Sequence, residues 1–314
     1  MFDLLGSIVE RSPLGLRRNR GERAEQKVGH FPDEAVEILL SGMEKLAMGT
    51  NPVPCREFAE KTLTDFVAAT RRYGAAAQPK RELHPQPAGS SFLAPREQQL
   101  ITVPEVTLPN GTTVPSFQVS QYHWSRSDDG TPWVNIGYHD ARKACQEAGM
   151  SLITELQALA IAHDIVQQDI NWTGGKVGLG KVFQGLHKGR VEGPREREFV
   201  SPDPEERRWH QLSNGSRIYD FAGHVFSWVF DDVQGDENGI VARPFAKDSP
   251  SISTASGLSA AEGIGCTPQA KSSWAGLALI RGGYWYSERY AGVFRLRNVP
   301  PDYEWDSVGF RCTK

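Results

Sequence analysis

The side chains able to carry chemistry in this chain are few and scattered. The eight histidines are His30, His84, His123, His139, His163, His187, His210 and His224. No two of them lie three or four residues apart, so no helix turn presents a two-histidine metal site. The four cysteines, Cys55, Cys145, Cys266 and Cys312, form no CxxC pair and no dense disulfide pattern. They read as free thiols, mostly buried. The run Gly174-Gly175-Lys176-Val177-Gly178-Leu179-Gly180 is glycine-rich, but no Lys-Ser/Thr follows at the spacing a phosphate loop needs, and it reads as a plain loop. GxSxG, Walker and HExxH patterns are absent. Asp231, Asp232, Asp236, Glu237 and Asn238 bring hard oxygen atoms to one glycine-containing turn, a spacing that can hold Ca²⁺. Solvated loop charges are the commoner meaning of such a cluster. The expectation is therefore no catalytic residue, no metal and no cofactor, with Ca²⁺ at that turn as the one alternative.

A different chemistry fills the last 34 residues, RGGYWYSERYAGVFRLRNVPPDYEWDSVGFRCTK. Eight are aromatic (Tyr284, Trp285, Tyr286, Tyr290, Phe294, Tyr303, Trp305 and Phe310), more than twice the 10% of the whole chain. They are interleaved with Ser, Asp, Glu, Arg and Asn. Tyrosine and tryptophan give large amphipathic contacts at low entropy cost, and small polar groups adapt their hydrogen bonds around them, which is the composition of a binding surface. Trp285, Ala291-Gly292-Val293-Phe294, Leu296, Val308 and Phe310 read as core. The ligand-binding positions expected between them are Tyr284, Tyr286, Ser287, Glu288, Tyr290, Arg295, Arg297, Asn298, Tyr303, Trp305, Asp306 and Ser307.

The elements that must hold this surface follow from periodicity. Residues 1–30 read as a basic arm around Arg17, Arg18, Arg20 and Arg23. Val36, Leu39, Leu40, Met43 and Leu46 make one helical stripe behind Pro32-Asp33, and a second helix is expected from about Cys55 to Tyr73. Residues 74–98, rich in Ala, Pro, Gly and Ser, read as a linker, which puts the domain boundary near 98. Beyond it, strands are expected at Ile101–Val106, Thr113–Val119 and Tyr122–Ser125, with Pro109-Asn110-Gly111 as a hairpin turn. A helix from His139 to Ala148 stops at Gly149. Thr154 and Gln157 form a capping box opening a helix that carries Leu156, Leu159, Ala160 and Val166. Residues 171–216 carry no long element.

Four segments in order carry a resemblance. They are Pro132-Trp133-Val134-Asn135 through Asp140-Ala141 and Cys145 to Gly149-Met150-Ser151-Leu152-Ile153-Thr154-Glu155; Ile218-Tyr219-Asp220-Phe221-Ala222-Gly223-His224-Val225-Phe226-Ser227-Trp228; Arg281-Gly282-Gly283-Tyr284-Trp285; and Val308-Gly309-Phe310-Arg311. Together they resemble the formylglycine-generating-enzyme superfamily over roughly residues 100–314. The resemblance implies an α+β, C-type-lectin-like fold preceded by the helical N-terminal region. Copper-dependent members place two cysteines after the Gly-Gly motif; the matching positions here are Ser287 and Gly292, neither a thiol. The iron-dependent branch draws histidines from an added helical domain, and residues 31–73 contain none.

The frame Gly282-Gly283-Tyr284-Trp285, Ala291-Gly292-Val293-Phe294-Arg295-Leu296, Gly309-Phe310-Arg311 is similar to the variable proteins of diversity-generating retroelements. In that family reverse transcription replaces residues at set positions near the C-terminus. The resemblance implies a non-catalytic ligand- or receptor-binding protein, with residues 1–98 as an arm, hairpin and linker, and residues 99–314 as the binding domain with a variable region about 282–311. The partner implied is a protein or glycan on a target cell or molecule. The alternatives are a virion structural or assembly protein, and an enzyme of the superfamily with an unrecognised site. Formal net charge of −3 and pI of about 6.3 do not suit a nucleic-acid binder. No secretory signal and no membrane span are read from the sequence, so a virion-associated or cytoplasmic place is expected. The sequence does not specify an oligomeric state.

Overall fold

Alternating burial sets the first sheet. In Leu100–Val103, Ile101 and Val103 face the core while Thr102 is exposed, and Phe117–Ser120 repeats the pattern. The computed structural model of the protein describes residues 99–253 and 257–314, all within one structural unit; the arm, hairpin and linker expected over 1–98 lie outside the described residues. In chain order the elements are β1 (Leu100–Val103), β2 (Val106–Thr107), β3 (Thr113–Val114), β4 (Phe117–Ser120), α1 (Tyr138–Glu147), β5 (Ser151–Leu152) and α2 (Glu155–Val166). After a long irregular stretch come β6 (Trp209–Gln211), β7 (Arg217–Tyr219), β8 (Phe226–Val229), the short α3 (Pro250–Ser253), β9 (Ala278–Arg281), β10 (Leu296–Val299), β11 (Val308–Phe310) and β12 (Cys312–Thr313). The α+β class expected from the sequence is what these elements form.

Two of the expected strands are each cut in two, by Pro104 and by Pro115, because proline has no N–H to give a ladder. β2 and β3 pair across the Asn110-Gly111 turn as expected, with Gly111 at φ +87°. The third expected strand, Tyr122–Ser125, is not one. His123, Trp124 and Ser125 are all buried in succession, so no alternating face exists, and the main chain is tied by the single bonds Trp124 N–H to Phe310 O (2.8 Å) and Trp133 N–H to Trp124 O (2.8 Å).

The helices obey their caps. α1 ends in a Schellman motif: Gly149 at φ +69° donates to Gln146 O (2.9 Å), and Met150 donates to Cys145 O (2.9 Å). In α2 the Thr154 hydroxyl accepts from Gln157 N (3.2 Å) while the Gln157 amide oxygen accepts from Thr154 N (3.0 Å). α2 is buried nearly all round, through Ala158, Leu159, Ala160, Ile161, Ala162 and Ile165, as an interior helix must be.

Four strands form each of two main sheets, in the orders β1-β4-β12-β5 and β10-β9-β8-β11. β11 runs parallel to β8, with Phe310 opposite Trp228, and β12 lies antiparallel between β4 and β5. The last seven residues therefore cross from one sheet to the other, and Arg311 is the residue at the crossing. One correction follows. Cys145 of α1 and Cys312 of β12 are not free thiols: they are joined as a disulfide, Cα to Cα 5.5 Å. The crossover brings together residues 167 apart in sequence, a pairing that spacing alone does not reveal. Cys266 is free.

Candidate functional site

The tail departs from β9 through two glycines that no other residue can replace without rearrangement. Gly282 and Gly283 both sit at φ +97°, and a Cβ on Gly283 would lie 2.9 Å from Ala291 Cα. Their neighbours are held from below. The Arg281 guanidinium makes a forked, fully buried pair with the Glu155 carboxylate, Nε to Oε2 2.6 Å, and donates from Nη1 to Phe294 O (3.3 Å). This ties the start of α2 to the root of the tail.

Beyond the glycines, three of the twelve expected surface positions are buried. Tyr284 (7% exposed) stacks on Phe226 at 5.7 Å. Ser287 (7%) accepts the Tyr284 N–H on its hydroxyl at 2.9 Å and closes the turn. Ser307 (1%) accepts the Phe226 N–H on its carbonyl at 2.8 Å as the chain enters β11. In each case the polar atoms serve the backbone or the ring serves the core, so polarity in the sequence did not mean exposure.

The other nine, Tyr286, Glu288, Tyr290, Arg295, Arg297, Asn298, Tyr303, Trp305 and Asp306, are half-buried or exposed. Five of them gather in two groups. Tyr290 lies beneath the Arg289 and Arg295 guanidiniums, at 5.0 and 5.6 Å, and Arg289 also donates to the Tyr290 hydroxyl (2.9 Å). Trp305 packs edge-to-face on Tyr303 at 4.3 Å with Arg297 over it at 5.8 Å. Arg297 and Asn298 are adjacent on the edge strand β10 and so point to opposite faces. They do not belong to one continuous patch.

Sequence reasoning missed the loop His187–Arg190. Glu288 N–H donates to His187 O (2.8 Å), Gly189 N–H donates to Trp285 O (2.7 Å), and the Tyr286 ring lies where a Gly189 side chain would be. Lys188 bonds Asp203 (2.9 Å) and Glu205 (2.6 Å), and its hydrogen bond to Glu205 raises its pKa. Nothing local in residues 171–216 signalled this. A cavity of about 280 Å³, lined by Ile252, Leu258, Ile264 and Cys266 among others, was likewise not anticipated.

Among the described residues one group has metal-ligand chemistry: ligand atoms of His123, Asp220 and His224, all buried, lie within 4.8 Å of one another. The proton map argues against a metal there. His224 Nε2 accepts from Arg195 N (2.7 Å), which leaves the proton on Nδ1, 3.2 Å from Asp220. Both Asp220 oxygens are held by Arg208, at 2.8 and 2.7 Å. His123 Nδ1 faces an Arg311 nitrogen at 3.4 Å, so its Nε2–H points to Ser227 Oγ at 2.7 Å. The one free lone pair of each imidazole and both Asp220 oxygens already accept hydrogen bonds, beside two guanidiniums. Burial opposes ionisation of Asp220, but Arg208 and His224 together hold its carboxyl well below the usual range. Burial, then Arg311, holds His123 far below an ordinary histidine. The Ser227–His123 contact resembles a nucleophile–base pair, yet an arginine stands where a carboxylate would orient the imidazole, which opposes protonation of the ring.

The loop read as an alternative Ca²⁺ site uses its oxygens internally. Asp231 Oδ1 accepts from the backbone N–H of Val233 (3.0 Å) and Gln234 (2.9 Å), Asp232 accepts from Leu156 N (2.9 Å), and Asp236 Oδ1 accepts from Asn238 N (2.9 Å). Burial raises the pKa of Asp231 and Asp232.

No family model and no curated protein matches the chain. Among solved structures the chain is similar to PvdO from Pseudomonas aeruginosa, at 14% identity over 68% of this chain and 93% of that one, TM-score 0.38. It is similar to Treponema denticola variable protein 1, at 14% identity over 68% and 93%, TM-score 0.33. A Major Tropism Determinant I1 variant shares 13% identity over 56% of this chain and 37% of that one, TM-score 0.31. Likenesses of this degree assign no function. No helix among the described residues is long and apolar enough to cross a membrane.

Proposed function

We propose that residues 99–314 are a non-catalytic ligand-binding module of the variable-protein kind, on a C-type-lectin-like scaffold, and that its accessible C-terminal residues are diversified by a retroelement. The observation that carries this reading is a division of labour within one short segment. The motif residues Arg281, Gly282, Gly283, Trp285, Phe310 and Arg311 are all buried, while Tyr290, Arg297, Tyr303 and Trp305 remain part-exposed in two aromatic–arginine groups. Such groups are the usual anchors of binding energy. A cysteine at Gly292, one of the two positions expected of a copper-dependent enzyme, would put its Cβ 2.1 Å from Ile264 C, which supports the non-catalytic reading. The partner is a protein or a glycan, and the lectin-type scaffold does not by itself imply Ca²⁺-mediated sugar binding.

Two measurements test this. The DNA around the gene should hold a near-copy of the codons for residues 282–311 that differs at adenines, beside a reverse-transcriptase gene. The differences should concentrate at the nine accessible positions. In addition, Tyr290→Ala and Trp305→Ala should each weaken binding of a captured partner about 30-fold or more, the loss typical of an anchor worth ~2 kcal/mol, and Tyr290→Ala should do so without lowering the melting temperature. Unchanged affinity in both variants rules out this face.

A further inference from the structure

The outer face of the β6–β7 hairpin carries rings and charges that the core does not use. His210 and Ile218 point inward and are buried, so Trp209, Gln211, Arg217 and Tyr219 share the opposite face. The Arg207 guanidinium lies 3.8 Å from the Phe183 ring centroid and 3.8 Å from that of Trp209. Its donors are spent on neutral groups: Nε on Trp209 O (3.1 Å), Nη1 on Ile170 O (2.9 Å) and Nη2 on Asn171 Oδ1 (3.2 Å). Arg217 is exposed and lies 4.1 Å from the same Trp209 centroid. Among the described residues none accepts a hydrogen bond from its guanidinium, and neither arginine is salt-bridged to a carboxylate. Burial, then the charge of Arg217, brings the Arg207 pKa down to about 10. Two like charges therefore share one indole, in a chain whose net charge is −3.

An apolar rim adjoins them. Four large hydrophobic side chains are exposed among the described residues, and three of these, Ile170 (42%), Val177 (44%) and Leu179 (57%), belong to the one segment 169–182. That segment is built onto the hairpin. Ile170 O is an acceptor for Arg207, and Asn171 exchanges two hydrogen bonds with the main chain of Gln211 (2.8 and 2.9 Å), the residue opposite Arg217. Asp169, the acid of the segment, accepts the Val177 N–H on Oδ1 (2.8 Å) and so shapes the rim. Lys176 and Lys181, exposed in the same segment, add charge of the same sign as the arginines. Exposed apolar side chains gathered in one place mark an interaction surface more often than chance exposure.

We propose that this face docks a protein partner through a segment combining acidic and apolar side chains, with a carboxylate on Arg217 and the apolar groups on Leu179, Val177 and Ile170. A guanidinium resting on an indole is oriented in advance and keeps its in-plane donors for a carboxylate fork. The arriving anion relieves the repulsion between Arg207 and Arg217. Tryptophan and arginine are the residues that most often anchor protein interfaces. A polynucleotide would satisfy the arginines but leave the apolar rim in water, so the rim selects a protein. All of these residues lie outside 282–311, so the docking is the same whatever the tail binds.

The test uses the full chain and fluorescent short peptides that combine Asp and Glu with Leu and Phe. The same peptides carrying Asn and Gln are the controls, a single-stranded oligonucleotide is run beside them, and anisotropy reads binding. Light scattering follows the oligomeric state in parallel. The acidic peptides should bind about tenfold or more tighter than their amide counterparts, and their affinity should fall as salt rises. Arg217→Glu should weaken them about tenfold or more, and Leu179→Ser severalfold. Equal binding of acidic and amide peptides, or undiminished binding by Arg217→Glu, overturns the proposal. So does tighter binding of the oligonucleotide that Arg217→Glu removes, which assigns the face to nucleic acid, or self-association that Arg217→Glu abolishes, which assigns it to a second copy of the chain. If Arg217→Glu does not fold, Arg217→Lys decides: it keeps the charge but not the fork, and undiminished binding in that variant overturns the proposal equally.

Discussion

Breaking the Cys145–Cys312 bond should cost this domain more than any other single covalent change. The bond closes a loop spanning 167 residues, and the chain-entropy treatment puts the stabilisation from a loop of that length at about 5 kcal/mol as an upper figure. At roughly 2–4 °C per kcal/mol for a domain of this size, its loss lowers the melting temperature by about 10–20 °C. The assay is urea unfolding of the oxidised protein, the reduced protein, Cys145→Ala, Cys312→Ala and the double variant. A bond is a property of the pair, so either single substitution removes all of it. The double variant should then lie close to the singles, separated only by the packing of the second sulfur, and reductant should move the unaltered protein alone. Peptide mapping without reductant should recover the segments around residues 145 and 312 cross-linked. Additive single losses, a midpoint indifferent to reductant, or the two peptides recovered separately would refute the reasoning.

Two further outcomes concern the buried network. Arg281→Met leaves the Glu155 carboxylate, 0% exposed, without its partner and should cost about 3–5 kcal/mol, while adding Glu155→Gln recovers part of that loss; urea midpoints measure both. His210 donates Nε2–H to Phe183 O (2.7 Å), and burial brings its pKa down to about 4. With the folded value below the unfolded 6.5, the unfolded chain binds more protons between those limits. Stability therefore falls as pH drops through 6.5 towards 4, by about 3 kcal/mol from this group. His123, lowered by the same cause, acts in the same sense. His210→Gln keeps a donor and should flatten the slope between pH 7 and 4.5 without abolishing it; an unchanged slope would contradict the assignment.

Much of the scaffold was legible because its signals are local. The capping box at Thr154 and Gln157, the Gly149 stop and the Asn110-Gly111 turn each depend on residues within a few positions of one another. Pro104 and Pro115 were equally local, and reading them would have divided the two long strands. The β6–β7 hairpin was missed although Ser213-Asn214-Gly215 is a turn sequence, because Trp209-His210-Gln211 is too short to show alternation. What could not be read was everything made at a distance. The disulfide, the His123–Asp220–His224 cluster and the Lys188 loop against Tyr286 all depend on the crossover of β11 and β12 or on irregular chain with no period.

The errors on the face have one physical origin, and it sharpens the functional reading. Tyr284, Ser287 and Ser307 were taken as surface because they are polar or amphipathic, but hydrogen-bonding capacity is satisfied as well by a nearby main-chain group as by water. Ser287 spends its hydroxyl on Tyr284 N–H, and Ser307 serves Phe226 through its carbonyl, which any side chain would leave in place. These two cases predict different tolerance. At Ser287 the side chain itself makes the turn, so substitution disturbs the loop that carries Tyr290. At Ser307 only the space around the side chain limits what fits. A surface built to accept many sequences needs its supporting bonds made by residues outside the exchanged set or by main-chain atoms, and Glu155–Arg281, Arg311 to Ser120 and Gln121, and Trp228 Nε1 to Ile136 O (2.9 Å) are all of that kind. The positions free to change contacts without changing shape are then those, like Tyr290, whose described side-chain contacts are to arginine side chains.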